Sequence, residues 1–157
     1  MEDQRPQTQK HITMVRGLIG DFIKNLELRA SEHDDSKLHS PEREIFYDYT
    51  PKLRDTTYGS DKYNGYLKSM KVALDHHYEN NRHHPEHFKD SHINDTWKPL
   101  TAMNLIDIVE MLCDWKAVTM RHADGDIRKS IEINQKRFGY SDELKSIFLN
   151  TVEFLES

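Results

Sequence analysis

The chain has 157 residues, a net charge of −5 with neutral histidines, 36% hydrophobic and 31% charged residues. That length suits one domain over 1–157 with a core of its own, with residues 1–8 expected to be flexible. The acidic balance argues against general nucleic-acid binding, which needs a basic stripe. No stretch approaches the roughly 20 apolar residues of a membrane helix. Met1 to Lys10 is polar and shows no secretory h-region, and Cys113 is the only cysteine. These features lead us to expect a cytoplasmic protein without disulfides or a cysteine-based zinc cage.

Helical periodicity recurs along the chain, and nothing alternates long enough to read as a strand. Gln9 to Asn25 reads as a first helix with Ile12, Val15, Ile19, Phe22, Ile23 and Leu26 on its apolar face. Asn25 offers a break, after which Leu26 to Glu32 reads as a short second helix leading to His33-Asp34. Ser40-Pro41-Glu42 is a helix start: a cap, Pro in the first turn, then an acid near the positive end. Thr50 to Gly59 is turn-like. Ser60 or Asp61 caps a long predicted helix to about Asn80. Pro85 disfavours helix at His84, so Asn80 to Asn94 is expected to be a loop closed by Trp97-Lys98-Pro99. A helix from Thr101 to about His122 follows, broken at Asp124-Gly125-Asp126. Ile127 to Phe138, ended by Gly139, and a segment begun by Ser141 complete an all-α bundle of six or seven helices.

Eight of the ten histidines fall between positions 33 and 92. Imidazoles at that density, interleaved with carboxylates, are the donor set of divalent transition metals. His33 and Asp34 can meet at one ion where a helix ends, and His11 is a candidate ligand one turn inside the first helix. Lys37 is placed to hold a phosphate or other anion beside them. Taken individually, these residues also fit a polar helix terminus and a solvated helix face. In the second cluster, His76 and His83 are seven apart, as are His77 and His84, so a continuing helix would stack each pair on one face. Arg82 reads as an anion contact. Glu86 reads as a ligand or an acceptor for an imidazole N–H. The bland reading is a histidine-rich surface loop. Asp107, Glu110 and Asp114 share one helix face, a repulsive arrangement unless a cation or imidazole lies opposite. No Gly-rich phosphate loop, GxSxG, HExxH or CxxC occurs.

The order His11, His33-Asp34, His76 to His84, Asp114 resembles the HD-domain superfamily, whose pattern is H…HD…D with extra histidines in two-metal members. His33-Asp34-Asp35-Ser36-Lys37 resembles that family's HD-x-x-Lys run, although Asp35 stands where an apolar residue is usual. The resemblance covers about residues 9 to 120. It implies an HD-like helical domain in which His11, His33, Asp34 and Asp114 bind a first metal. Asp34 would bridge to a second held by His76 or His77 with His83 and His84; Asp107, Glu86 and Glu110 are lesser candidates. The chain also resembles a family of small bacterial and tailed-phage proteins with HDxSK, HHPE and EMLCDW segments, which implies no activity.

The resulting expectation is a metal-dependent phosphohydrolase acting on a nucleotide or other small phosphoester. One or two ions of Mn, Fe, Co, Ni or Zn would serve as cofactor. Asp34 and Lys37 would act in catalysis, and Lys37 and Arg82 would bind substrate. Two other readings use the same residues: an HD-type di-iron oxygenase, and a non-catalytic adaptor stabilised by metal. The expected partner is a small phosphorylated molecule, not a membrane or nucleic acid, with room for a homo-oligomer.

Overall fold

The structure, a computed structural model, describes residues 4–56, 60–121 and 125–157. Sequence expectations for residues 1–3, for the end of the turn at 57–59, for the helix end at His122 and for the break at Asp124 lie outside the described residues. Seven α-helices and one two-residue β-ladder make the described fold all-α. Among the described residues no helix is long and apolar enough to cross a membrane. The chain divides into two units, Met1–His33 and Asp34–Ser157.

The first unit is a single helix, α1 (Arg5–Glu32), of 28 residues. Its first turn includes residues 5–8, which the sequence leads us to expect as flexible. The expected break at Asn25 is absent, because the Asn25 amide donates to the Asp21 carbonyl at 2.8 Å and satisfies itself inside the helix. The apolar face does not form a core either: no residue of α1 is buried, and Ile12, Val15, Ile19, Phe22 and Ile23 are all exposed.

The second unit begins with Asp34 in the left-handed region, φ 58° and ψ 15°, a conformation that aspartate tolerates better than most residues. A 3-10 turn (Asp35–Leu38) leads into α2 (Glu42–Arg54). The helix expected from Ser60 to Asn80 is two, α3 (Asp61–Ser69) and α4 (Lys71–Asn80), parted at Met70. Ser60 caps α3 as expected, its hydroxyl accepting from the Tyr63 N–H. The segment expected as a plain loop contains a 3-10 turn at Pro85–Phe88 and the antiparallel strands β1 (His92–Ile93) and β2 (Thr96–Trp97). A last 3-10 turn, Pro99–Ala102, precedes α5 (Leu105–Met120), which therefore starts four residues later than Thr101. Helices α6 (Ile127–Phe138) and α7 (Asp142–Glu156) follow, with Gly139 in the left-handed region ending α6.

The apolar core lies between α5, α6 and α7. Met111, Leu112, Ile131, Phe138, Phe148 and Val152 are buried there. Trp115 stacks on Phe138 with ring centres 6.3 Å apart and meets Phe148 edge-on at 6.1 Å. Helix α5 has two occupied faces: Met111 and Leu112 enter this core, while Asp107 and Glu110 are buried polar residues.

Candidate metal centre

Helix α4 and the turn behind it bring three imidazoles together. His77 lies in the last turn of α4, which Asn81 ends in an extended conformation. The Asn81 amide donates to the His77 carbonyl at 2.8 Å and to the Ser36 hydroxyl at 2.7 Å. His84 is extended, as the residue before Pro85 must be to avoid the pyrrolidine ring. The rings of His83 and His84 then lie 4.2 Å apart, and that of His84 is 4.6 Å from His77.

Their donor atoms converge on Asp34. Nε2 of His77 lies 2.8 Å from Nε2 of His84 and 3.3 Å from Oδ1 of Asp34. Nε2 of His83 is 3.6 Å from the same oxygen. Asp34, His77, His83 and His84 each offer an atom within 4.8 Å of all the others, a group that can hold a metal ion. Such a mixture of imidazole nitrogen and carboxylate oxygen suits a divalent transition metal.

The far side of two rings is held by buried carboxylates. Nδ1 of His77 lies 2.8 Å from Oε2 of Glu42, which is wholly buried at the start of α2. Nδ1 of His83 lies 3.0 Å from Oε1 of Glu110. A carboxylate at Nδ1 places the proton there and leaves the Nε2 lone pair facing the other ligands, the arrangement that orients metal-binding imidazoles. Burial, reinforced by the Lys37 cation, lowers the pKa of His77 to about 4 against the pull of Asp34 and Glu42. Its ring is therefore neutral at neutral pH, the state in which nitrogen can ligate.

The remaining predicted residues separate into neighbours and residues used elsewhere. Lys37 is a neighbour: its ammonium is 2.5 Å from Oδ2 of Asp34, 5.2 Å from the centre of the Phe46 ring, and 34% exposed. Asp114 is another, with a carboxylate oxygen within 4.8 Å of one of Asp34's. His76 instead gives Nδ1 to Oε1 of Glu42 at 2.7 Å. Arg82, expected to hold an anion, is committed to a two-pronged contact with Asp107 at 3.2 and 2.9 Å. Asp107 also closes the capping box of α5 with Asn104, so its carboxylate serves the helix start. Glu86 pairs with Arg137 on α6 and stands outside the donor group.

His33 closes the first unit, directly before Asp34 in the chain. His11 is twenty-two residues upstream on the same unbroken helix, about 33 Å along its axis, so these two histidines cannot share an ion as expected. The expectation assumed a break that would fold the first helix back, and the continuous helix removes it.

Three supporting residues escaped sequence reasoning: Glu42, Ser36 and Asn81. The Ser36 hydroxyl donates to Glu42 Oε2 at 3.0 Å, and Asn81 donates to that hydroxyl. Glu42 reads as an acid favoured at a helix start, and Asn81 falls at the start of the expected loop; neither reading predicts burial against histidine. The signal present was the charge balance of a ring cluster that needs carboxylates behind it.

The family of unknown function DUF5662 matches residues 1–157, so the chain belongs to that family. No curated protein and no solved structure matches it.

Proposed function

We propose that this protein is a metal-dependent phosphohydrolase of HD type, acting on a nucleotide or another small phosphoester. One observation carries the reading: three imidazole nitrogens and a carboxylate oxygen converge, and buried carboxylates hold the outer nitrogens of His77 and His83. Nε2 of His77 and Nε2 of His84 lie 2.8 Å from each other, and Nε2 of His83 faces the same oxygen of Asp34, so a divalent ion among them would replace an imidazole–imidazole contact by coordination.

In this reading Asp34, His77, His83 and His84 bind a divalent ion drawn from Mn, Fe, Co, Ni or Zn. The ion supplies a water molecule of lowered pKa and charge neutralisation at a phosphoryl oxygen. Asp114 is the acid that extends the donor set from the Asp34 side and provides for a second ion. Glu42 and Glu110 fix the ring orientations. Lys37, partly exposed and already paired with the outer oxygen of Asp34, turns its ammonium to the substrate phosphate. Arg82 has no part in it, because Asp107 holds its guanidinium.

The test is elemental analysis of untagged protein purified without a chelating column, followed by phosphate release from a panel of nucleotides and phosphomonoesters with each of the five metals. Bound metal with metal-dependent phosphate release is expected. Oxygen uptake by an iron-loaded form without phosphate release would replace hydrolysis with oxidation. Stoichiometric metal with neither activity would leave a structural metal in an adaptor.

A further inference from the structure

Helix α1 has no buried residue, yet it is not built as a solvated helix. Ile12, Val15, Ile19, Phe22 and Leu26 follow one another at spacings of three, four, three and four. This is the 3.5-residue repeat that keeps one stripe of a helix facing another helix. Leu18 flanks the stripe on one side and Ile23 on the other. Lys10, Asp21 and Lys24 lie on the opposite face. The four stripe residues from Ile12 to Phe22 are 38 to 55% exposed, and Leu18 and Ile23 are 64% and 51%.

Local propensity does not account for such a helix. Gly17 and Gly20 sit in its interior, and each lowers helix stability by about 1 kcal/mol relative to alanine. Neither is required by close packing, since a Cβ at either position would meet nothing within 4 Å. Helices in proteins draw most of their stability from an apolar face packed on a partner.

We propose that the Ile12–Val15–Ile19–Phe22 face of α1 packs against the same face of a second copy of this chain. The stripe carries no charged residue, so it meets itself without repulsion, as a two-fold contact requires. Covering its four side chains with Leu18 and Ile23 in both copies removes on the order of 1,000 Å² from water, the size at which specific interfaces begin. The repeat selects a helix as partner, and the area suffices for a pair.

Sedimentation equilibrium of the full chain tests this. At about 100 μM, where a micromolar association is nearly complete, the protein is expected to be a dimer. Ile19→Glu and Phe22→Glu should each raise the dimer dissociation constant at least tenfold. Gly20→Ala, off the stripe, should leave the dimer intact. Far-ultraviolet circular dichroism and the melting temperature show whether residues 34–157 stay folded in each variant. A monomeric wild-type chain overturns the proposal, whether the face is then covered by a different protein or by nothing. A dimer that survives both glutamate substitutions, or that Gly20→Ala dissolves, places the contact on another face and overturns it equally.

Discussion

Residues 34–157 contain two buried regions built on opposite principles. Between α5, α6 and α7, Phe138, Phe148, Ile131 and Val152 exclude water with side chains that ask nothing of one another but shape. Between α2, α4 and the turn at His83-His84, Ala73 and Met70 are buried beside a polar group made of Glu42, His77, Asn81, His83 and, from α5, Glu110. Burying a carboxylate costs several kcal/mol unless donors surround it, and replacing such clusters with apolar residues often stabilises a protein. The first region is what holds the unit folded. The second is a concentration of desolvated acids and bases that folding alone does not require, and α5 joins the two by facing both.

The largest effects should separate the regions by kind. Asp34→Ala removes the oxygen on which His77 and His83 converge. If the hydrolase proposal holds, metal content is expected to fall sharply, and phosphate release about a thousandfold or more, since the ion would supply several kcal/mol of transition-state stabilisation. Removing the ion from wild type with a chelator should do the same and be reversed by adding metal back. The melting temperature of Asp34→Ala without metal should fall modestly, by the strain of alanine at a left-handed position and the loss of the Lys37 contact, and far less than for a core truncation. Phe148→Ala should do the opposite: about 3–5 kcal/mol of stability lost, measured by urea unfolding, with metal affinity retained in the folded fraction. If Asp34→Ala unfolds the chain while Phe148→Ala spares it, the division of labour is wrong.

Smaller effects sharpen the polar side. Glu42→Gln and Glu110→Gln keep the side-chain shape but weaken the hold on Nδ1 of His77 and His83. Each should lower metal affinity about 10–100-fold, read by competition with a chromogenic chelator. Asp107→Asn should barely change metal affinity, because Asp107 serves Arg82 and the capping box; its cost is about 1 kcal/mol of stability from the weakened cap. Asp114→Asn should impair turnover far more. Equal losses for the two acids would remove Asp114 from the site.

Acid separates the regions again, through His77. Its folded pKa of about 4 lies below the ordinary 6.5, so the unfolded chain takes the proton first. In metal-free protein this contribution to stability is therefore fully present above about pH 6.5 and fades as pH falls towards 4. His77→Gln should flatten urea-unfolding stability over that window, whereas Phe148→Ala should shift it by the same amount at every pH.

The two regions also differ in how far the sequence revealed them. Helix α6 was legible to the residue and α7 at its start, because Asp126, Ser141 and Gly139 are local signals with local consequences. That a metal-capable group gathers in this region follows from the density of histidines; that Asp34 joins His83 and His84 came from the resemblance to the HD-domain superfamily, which left His76 and His77 open. Its supports were not: Glu42 and His77 are thirty-five residues apart, and only the packing of α2 on α4 decides which of two adjacent histidines turns inward. The partner of Arg82 was hidden for the same reason. A guanidinium beside a histidine cluster resembles an anion clamp until the fold supplies Asp107. The break expected in α1 failed because Asn25 found a partner four residues back.

The smallest expected effect belongs to Lys37, and it probes how the polar region meets solvent. Its ammonium lies at 2.5 Å from Asp34 Oδ2 and is a third exposed, so it is available to a ligand from outside without leaving the carboxylate. Lys37→Ala removes no metal donor and takes a cation away from Asp34, so metal affinity should hold or rise slightly. The substrate phosphate loses one charge-assisted hydrogen bond, about 1.5–3 kcal/mol where it is well formed. Partial exposure puts the expectation at the lower end, roughly a tenfold rise in KM with kcat changed less, because the contact forms in ground and transition state alike. A spectroscopic readout separates this from a packing defect. Lys37 is one of the charges that depress the pKa of His77, so in metal-free Lys37→Ala the His77 ring should titrate higher than about 4, as followed by its proton resonances. A KM increase without that shift would mean that Lys37 acts by shaping the turn at Asp35–Leu38, and loss of metal would mean that it holds Asp34 in place for the ion.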